Sequence, residues 1–116
     1  MRSDKALKRW YSKINREFFH SELPSNVCVR WADPDEEPDI ASTDLGVDAR
    51  HSFIIIFNRE KVPTLTIKVA TLIHEMMHVA TKCEDDHGAD FELVRQQLSD
   101  RGIFKKGAVV KGLTIF

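Results

Sequence analysis

The chain has 116 residues, 42% of them hydrophobic, and a formal net charge of −1, which suits a single domain over 1–116 with one core and a cleft, and excludes two domains. Near-neutral charge excludes a global pull towards nucleic acid or anionic membrane, so any such partner must be met by a local patch. Two cysteines without a C-x-x-C pair argue against a disulfide framework, and the absence of a membrane-length apolar stretch or a signal-peptide core reads as an intracellular protein of the cytoplasm.

Leu7, Tyr11, Ile14 and Phe18 recur at helical spacing and predict an amphipathic helix over 4–19 with Ser3 as its cap. Arg2, Lys5, Lys8, Arg9, Lys13 and Arg16 make its other face basic; such a face is ordinarily just solvated, and it is the one place where DNA phosphates are expected as a partner. After Pro24, residues 27–31 alternate as a strand. Residues 33–48 hold seven acidic side chains and no basic one, with Pro34 and Pro38 as breakers, and read as an exposed loop. A short strand is expected at 45–49, then a buried, β-branched strand at 52–57. His20, at the end of the first helix, and His51, ahead of the buried strand, read as structural or exposed.

The next segment carries the chemistry. His74-Glu75-Met76-Met77-His78 lies in a run, 65–82, that contains neither Gly nor Pro and follows Thr64 as a candidate N-cap. With 5 histidines in the chain, a His-Glu-x-x-His string is expected by chance only about 0.01 times, so the motif asks for structural context. Leu65, Leu72, Ile73, Met76, Val79 and Ala80 supply it as an apolar stripe beside the histidines. The i, i+4 spacing sets both imidazoles on one face about a turn apart, at adjacent corners of a tetrahedron around Zn²⁺. Glu75, rotated by about 100° from His74, is placed to reach a water at an open coordination position and act as general base.

A catalytic zinc takes three protein ligands and keeps one position open. His87 is the expected third, reached when the helix stops near Lys82 or Cys83 and the loop through Glu84, Asp85 and Asp86, followed by Gly88, folds the chain back. Glu92 and Asp90, on a following helix over 89–100 closed by Gly102, are the rival ligands; Cys83 would serve only a closed structural site. Asp85 or Asp86 is the expected acceptor orienting His87. Glu84, six residues after His78, and the lack of Gly at position 81 exclude the metzincin pattern. In the tail, 103–116, Val109-Val110 and residues 113–116 read either as short strands over the core or as a segment near the site.

These residues resemble a known family. Asn58, a Pro-containing spacer, Leu72-Ile73-His74-Glu75-Met76-Met77-His78, and His87-Gly88 with Phe91 look like the core of the SprT-like zinc metalloproteases, the group that includes Spartan. Trp10-Tyr11, Ile14-Asn15, Phe18-Phe19 and Glu22-Leu23-Pro24 are similar to that family's opening helix and the turn into its first strand, so the likeness runs over about 10–91. It implies an α+β, zincin-like metalloprotease domain: an N-terminal helix, a small β-sheet, an HExxH active-site helix and a following helix. It further implies Zn²⁺ on His74, His78 and His87, Glu75 as the catalytic base, and DNA-bound proteins as substrates. Many relatives append a zinc ribbon or DNA-binding segments, and two cysteines offer no second zinc module.

The expected activity is therefore zinc-dependent hydrolysis of a protein or peptide substrate, the extended chain lying along a strand edge between residues 45 and 58. No Tyr or Arg stands out for the oxyanion, since the sole tyrosine, Tyr11, belongs to the first helix. The alternative is a non-catalytic zinc-binding adaptor associated with DNA or a protein partner, which would have no use for Glu75.

Overall fold

A computed structural model describes residues 2–46, 48–84 and 86–113, in which α1 (Lys5–Phe18), β1 (Val27–Ala32), β2 (Ala41–Leu45), β3 (Phe53–Asn58), α2 (Leu65–Ala80) and α3 (Ala89–Asp100) follow one another. Asp4 rather than Ser3 caps α1, its carboxylate accepting from Leu7 N at 3.0 Å. Ser3 instead accepts from Val29 N at 3.0 Å, and Asp4 N donates to Val29 O at 2.8 Å, so the chain's start covers the outer edge of β1. Leu7, Tyr11, Ile14 and Phe18 are all buried, and the Tyr11 hydroxyl donates to Pro24 O at 2.6 Å.

The sheet has the order β1-β3-β2. β3 runs parallel to β1 from Val27↔Phe53 to Ala32↔Asn58 and antiparallel to β2 from Ala41↔Phe57 to Leu45↔Phe53. Val27, Val29, Phe53, Ile55 and Phe57 share the face that joins the core with α1, α2 and α3. As the central strand, β3 is buried along nearly its whole length, which is why it reads as an unbroken apolar run.

β2 corrects the expectation of a strand at 45–49 and of an exposed loop throughout 33–48. It lies at Ala41–Leu45, inside the acidic stretch; of the residues expected in a strand only Leu45 belongs to it, and Val47 lies outside the described residues. The turn back to β3 begins at Gly46, where a Cβ would stand 1.8 Å from the His51 carbonyl oxygen, so only glycine fits. Acidic content misled because β2 is an edge strand, half-buried at best, and charged side chains are what such an edge carries.

β1 and β2 flank β3 from opposite sides, so the 33–40 connection must pass over the end of β3. Asn58 holds it there. Fully buried, it donates through Nδ2 to Glu37 O at 2.7 Å and accepts on Oδ1 from Glu60 N at 2.8 Å, while its own N–H donates to Ile40 O at 2.9 Å. The buried Glu37 carboxylate in turn accepts from Asp39 N at 3.2 Å and from Ser42 Oγ at 2.5 Å, fixing the start of β2.

Of the two readings of the tail, the strand at Val109-Val110 does not form, since 103–113 is a series of turns, and the piece at 113–116 lies, but for Leu113, outside the described residues. Ile103 and Val109 are buried, and Lys13 Nζ donates to Val109 O at 3.0 Å, seating the tail against α1. No helix among the described residues is long and apolar enough to cross a membrane.

Asn58→Ala is expected to lower unfolding free energy by about 3 kcal/mol, because it strands a buried carbonyl and a backbone N–H. Urea unfolding measures this, and a loss below about 1 kcal/mol would show that the crossover is held by other contacts.

Candidate metal centre

Thr64 caps α2 through Oγ1, which accepts from Ile67 N at 3.2 Å. Val69, Leu72, Ile73, Met76 and Val79 turn into the core, while Leu65, expected in the stripe, is exposed in the first turn. His74 and His78 are half-buried on the cleft flank, next to the buried Glu75.

α2 stops at Ala80, two residues short of the expected end, in a Schellman turn: Cys83 N donates to His78 O at 2.8 Å and Lys82 N to Val79 O at 3.0 Å. Lys82, Cys83 and His87 all occupy the left-handed region, at φ 57°, 57° and 61°. The reversal is thus made by non-glycine residues, while Gly88 has the extended backbone of an N-cap at the start of α3. Each such residue costs about 1–3 kcal/mol, a concentration of strain of the kind found at functional sites.

This loop brings His87 to the other two histidines. Its Nε2 stands 3.1 Å from Nε2 of His74 and 3.1 Å from Nε2 of His78. These three form the one group of potential metal-holding side chains among the described residues. Nε2 of His87 carries at most one proton and cannot donate to both neighbours; a cation shared by three lone pairs satisfies all of them. The spacing fits zinc, whose Zn–N bonds of about 2.0–2.1 Å in a tetrahedral set separate ligand nitrogens by about 3.3 Å. Burial first, then the neighbouring imidazoles, push His74 and His78 below the ordinary histidine pKa, favouring the neutral form that binds metal. Phe91, buried at the start of α3, floors the cluster, its ring centroid 5.2 Å from that of His74 and 4.8 Å from those of His78 and His87.

The rival ligands lie elsewhere. Glu92 is exposed and accepts from Arg95 Nε at 2.7 Å, and Asp90 is exposed outside the cluster. Cys83 is near without joining; its thiol faces Thr43 O at 3.8 Å, and burial, followed by Asp44 and Glu75, raises its pKa. Asp86 Oδ1 lies 3.7 Å from His87 Nδ1, too far for a hydrogen bond, and Asp85 lies outside the described residues. His20 is exposed, and His51 bonds within its turn to Asp48 Oδ1 at 3.0 Å.

The histidines open into a cleft of about 380 Å³ whose opposite wall is Ala41, Ser42 and Thr43 of β2, with Asp39 ahead of them. Thr43, not singled out in the sequence, donates from Oγ1 to Glu75 Oε1 at 2.9 Å, with Glu75 O also near at 3.2 Å. Burial raises the Glu75 pKa above the usual carboxylate range, and Glu37 adds to this; Thr43 and His87 oppose it. A lone threonine in an acidic stretch carries no sequence signal, since its meaning comes from a contact across 32 positions.

No family model, curated protein or solved structure matches this chain.

Replacing His87 by Ala is expected to weaken zinc binding roughly 100-fold or more, since a binding free energy of about 10 kcal/mol is spread over few ligands, whereas Glu92→Ala leaves it unchanged. Competition against a chromophoric chelator reads both, and the reverse ranking would move the third ligand to Glu92.

Proposed function

We propose that the protein is a zinc-dependent endopeptidase of zincin-like architecture, related to the SprT-like metalloproteases. One observation carries the reading: the Glu75 carboxylate is buried in the same cleft as three convergent imidazoles, facing an open strand edge. A structural metal site gives no reason to bury a carboxylate beside it, because an ionised group without a task is a desolvation cost. The family resemblance over Asn58, the HExxH helix, His87-Gly88 and Phe91 supports the same conclusion.

His74, His78 and His87 would hold the metal, which when bound would polarise a carbonyl and ease deprotonation of a water. Glu75 takes the proton from the attacking water as its oxygen bonds to the peptide carbonyl carbon. It then delivers that proton to the amine nitrogen as the C–N bond breaks. A raised carboxyl pKa suits both halves of this shuttle.

The substrate lies along β2, not between 45 and 58 as the sequence suggests, because β3 is the central strand and has no free edge. Gly46 N to Ser52 O at 2.8 Å and Asn58 N to Ile40 O at 2.9 Å set the antiparallel alternation. The backbone groups of Ala41, Thr43 and Leu45 consequently point away from β3, towards the side where an extended chain can pair with them; at the Thr43 carbonyl such a chain replaces the weak contact from Cys83 Sγ at 3.8 Å. Backbone pairing binds unfolded segments with little regard to side chain.

DNA is proposed as a second partner, through the basic face of α1. Lys8 and Lys13 spend their ammonium groups on backbone carbonyls of Val27 and Val109, while Lys5, Arg9 and Arg16 line an open groove with them. Binding to a fluorescent duplex is expected to weaken steeply with salt and to be lost in Arg9→Glu/Arg16→Glu; salt-independent binding would point to another surface.

Glu75→Gln is expected to retain one zinc per chain and to lose cleavage of an unfolded protein such as labelled casein by about 10²–10⁴-fold. Cleavage surviving the substitution would remove Glu75 from the chemistry, and a zinc-loaded parent that cleaves neither casein nor DNA-bound protein would leave the metal-binding adaptor instead.

A further inference from the structure

A general base must present one carboxylate oxygen to the attacking water in a fixed direction, and a glutamate side chain has three torsions with which to miss. Misplacement by about 1 Å costs up to about 100-fold in rate. The neighbours of Glu75 on α2 do not hold its carboxylate; the restraint comes from another element. Thr43 Oγ1 donates to Oε1 at 2.9 Å. The hydroxyl has a single proton, and between its two nearby acceptors the charged carboxylate oxygen is the stronger and the closer, Glu75 O standing at 3.2 Å. With Oε1 engaged, Oε2 is left for the proton.

Thr43 also sits at the middle of β2, where its own N–H and C=O belong to the outward-facing set. Cys83 Sγ at 3.8 Å already approaches that carbonyl as a weak donor, marking it as reachable from the cleft. Its position is fixed from behind: Ser42 and Asp39 are tied to the buried Glu37 carboxylate, and Glu37 O to Asn58. A threonine suits the place because branching at Cβ restricts χ1, so the hydroxyl is aimed by the strand itself.

We infer that Thr43 is a positioning residue for Glu75, and that it joins two functions of the cleft: its backbone pairs with the bound chain while its hydroxyl aims the base. The inference rests on the peptidase reading and adds to it that the substrate-binding strand, rather than the active-site helix, orients the catalytic carboxylate. Because one residue does both, a chain seated in register on β2 is seated against a base already oriented.

The test pairs Thr43→Val, which keeps the shape and branching but removes the hydroxyl, with Thr43→Ser, which keeps the hydroxyl. With labelled casein and zinc-loaded protein, Thr43→Val is expected to lower kcat about 10- to 100-fold with KM, zinc content and Tm near those of the parent, and Thr43→Ser to stay within about threefold of the parent. Parent-like kcat in Thr43→Val overturns the inference. So does an equal loss in both variants, or a loss confined to KM or to zinc content, since each would mark a packing or binding role. High-resolution crystal structures of the zinc-loaded parent and Thr43→Val give a readout independent of turnover. The carboxylate is expected to keep its Thr43 bond in the parent and to leave that rotamer in the variant; an unmoved Glu75 overturns the positioning role. A parent without cleavage would sink the peptidase reading alone, and the crystal structures would still decide whether Thr43 holds Glu75.

Discussion

Nε2 of His87 stands 3.1 Å from Nε2 of His74 and 3.1 Å from Nε2 of His78, so three lone pairs crowd one point, and the local chain accounts for only two of them. Two come at no cost, because four residues on a helix return to the same face. The third arrives only through a reversal in which Lys82, Cys83 and His87 all take left-handed backbone. That strain is offset by packing: the Schellman bonds close the end of α2, and the buried Phe91 lodges the start of α3 beneath the cluster. A bound cation would add to the same side of the balance, replacing lone-pair repulsion with three bonds.

The other wall of the cleft depends on a different constraint, the passage of the 33–40 connection over the end of β3. Asn58 and Glu37 are buried polar side chains: Asn58 ties the connection through Glu37 O and the turn after β3 through Glu60 N, and the Glu37 carboxylate ties Asp39 and the start of β2. Polar groups at such depth stabilise only when fully partnered, and their geometry then admits few alternatives. The consequence is an edge strand placed rigidly against α2, at a distance where a threonine hydroxyl meets a glutamate carboxylate. Stability of the crossover and geometry of the cleft are therefore one problem, solved by the same side chains.

The two charged surfaces separate along these lines as well. Of the acidic stretch, Asp39 lines the cleft ahead of β2 and Asp44 lies within that strand, whereas the basic residues of α1 lie on a helix whose buried face, Leu7, Tyr11, Ile14 and Phe18, is turned into the core. A net charge of −1 conceals this division.

Periodicity alone determined much of this protein: the apolar spacing of α1, the unbroken run of β3, the helix bearing His74 and His78, and the pairing of those two histidines, all of which rest on interactions within a few residues. His87 was legible as a candidate because a histidine follows a helix end at a short distance, although the residues that turn the chain were not, since Lys82 and Cys83 carry no mark of left-handed backbone. β2 was hidden because an edge strand needs no apolar run. Thr43, Glu37 and the true free edge of the sheet were decided only by tertiary structure, because each depends on which strand lies beside which, and strand order is set by contacts between residues distant along the chain.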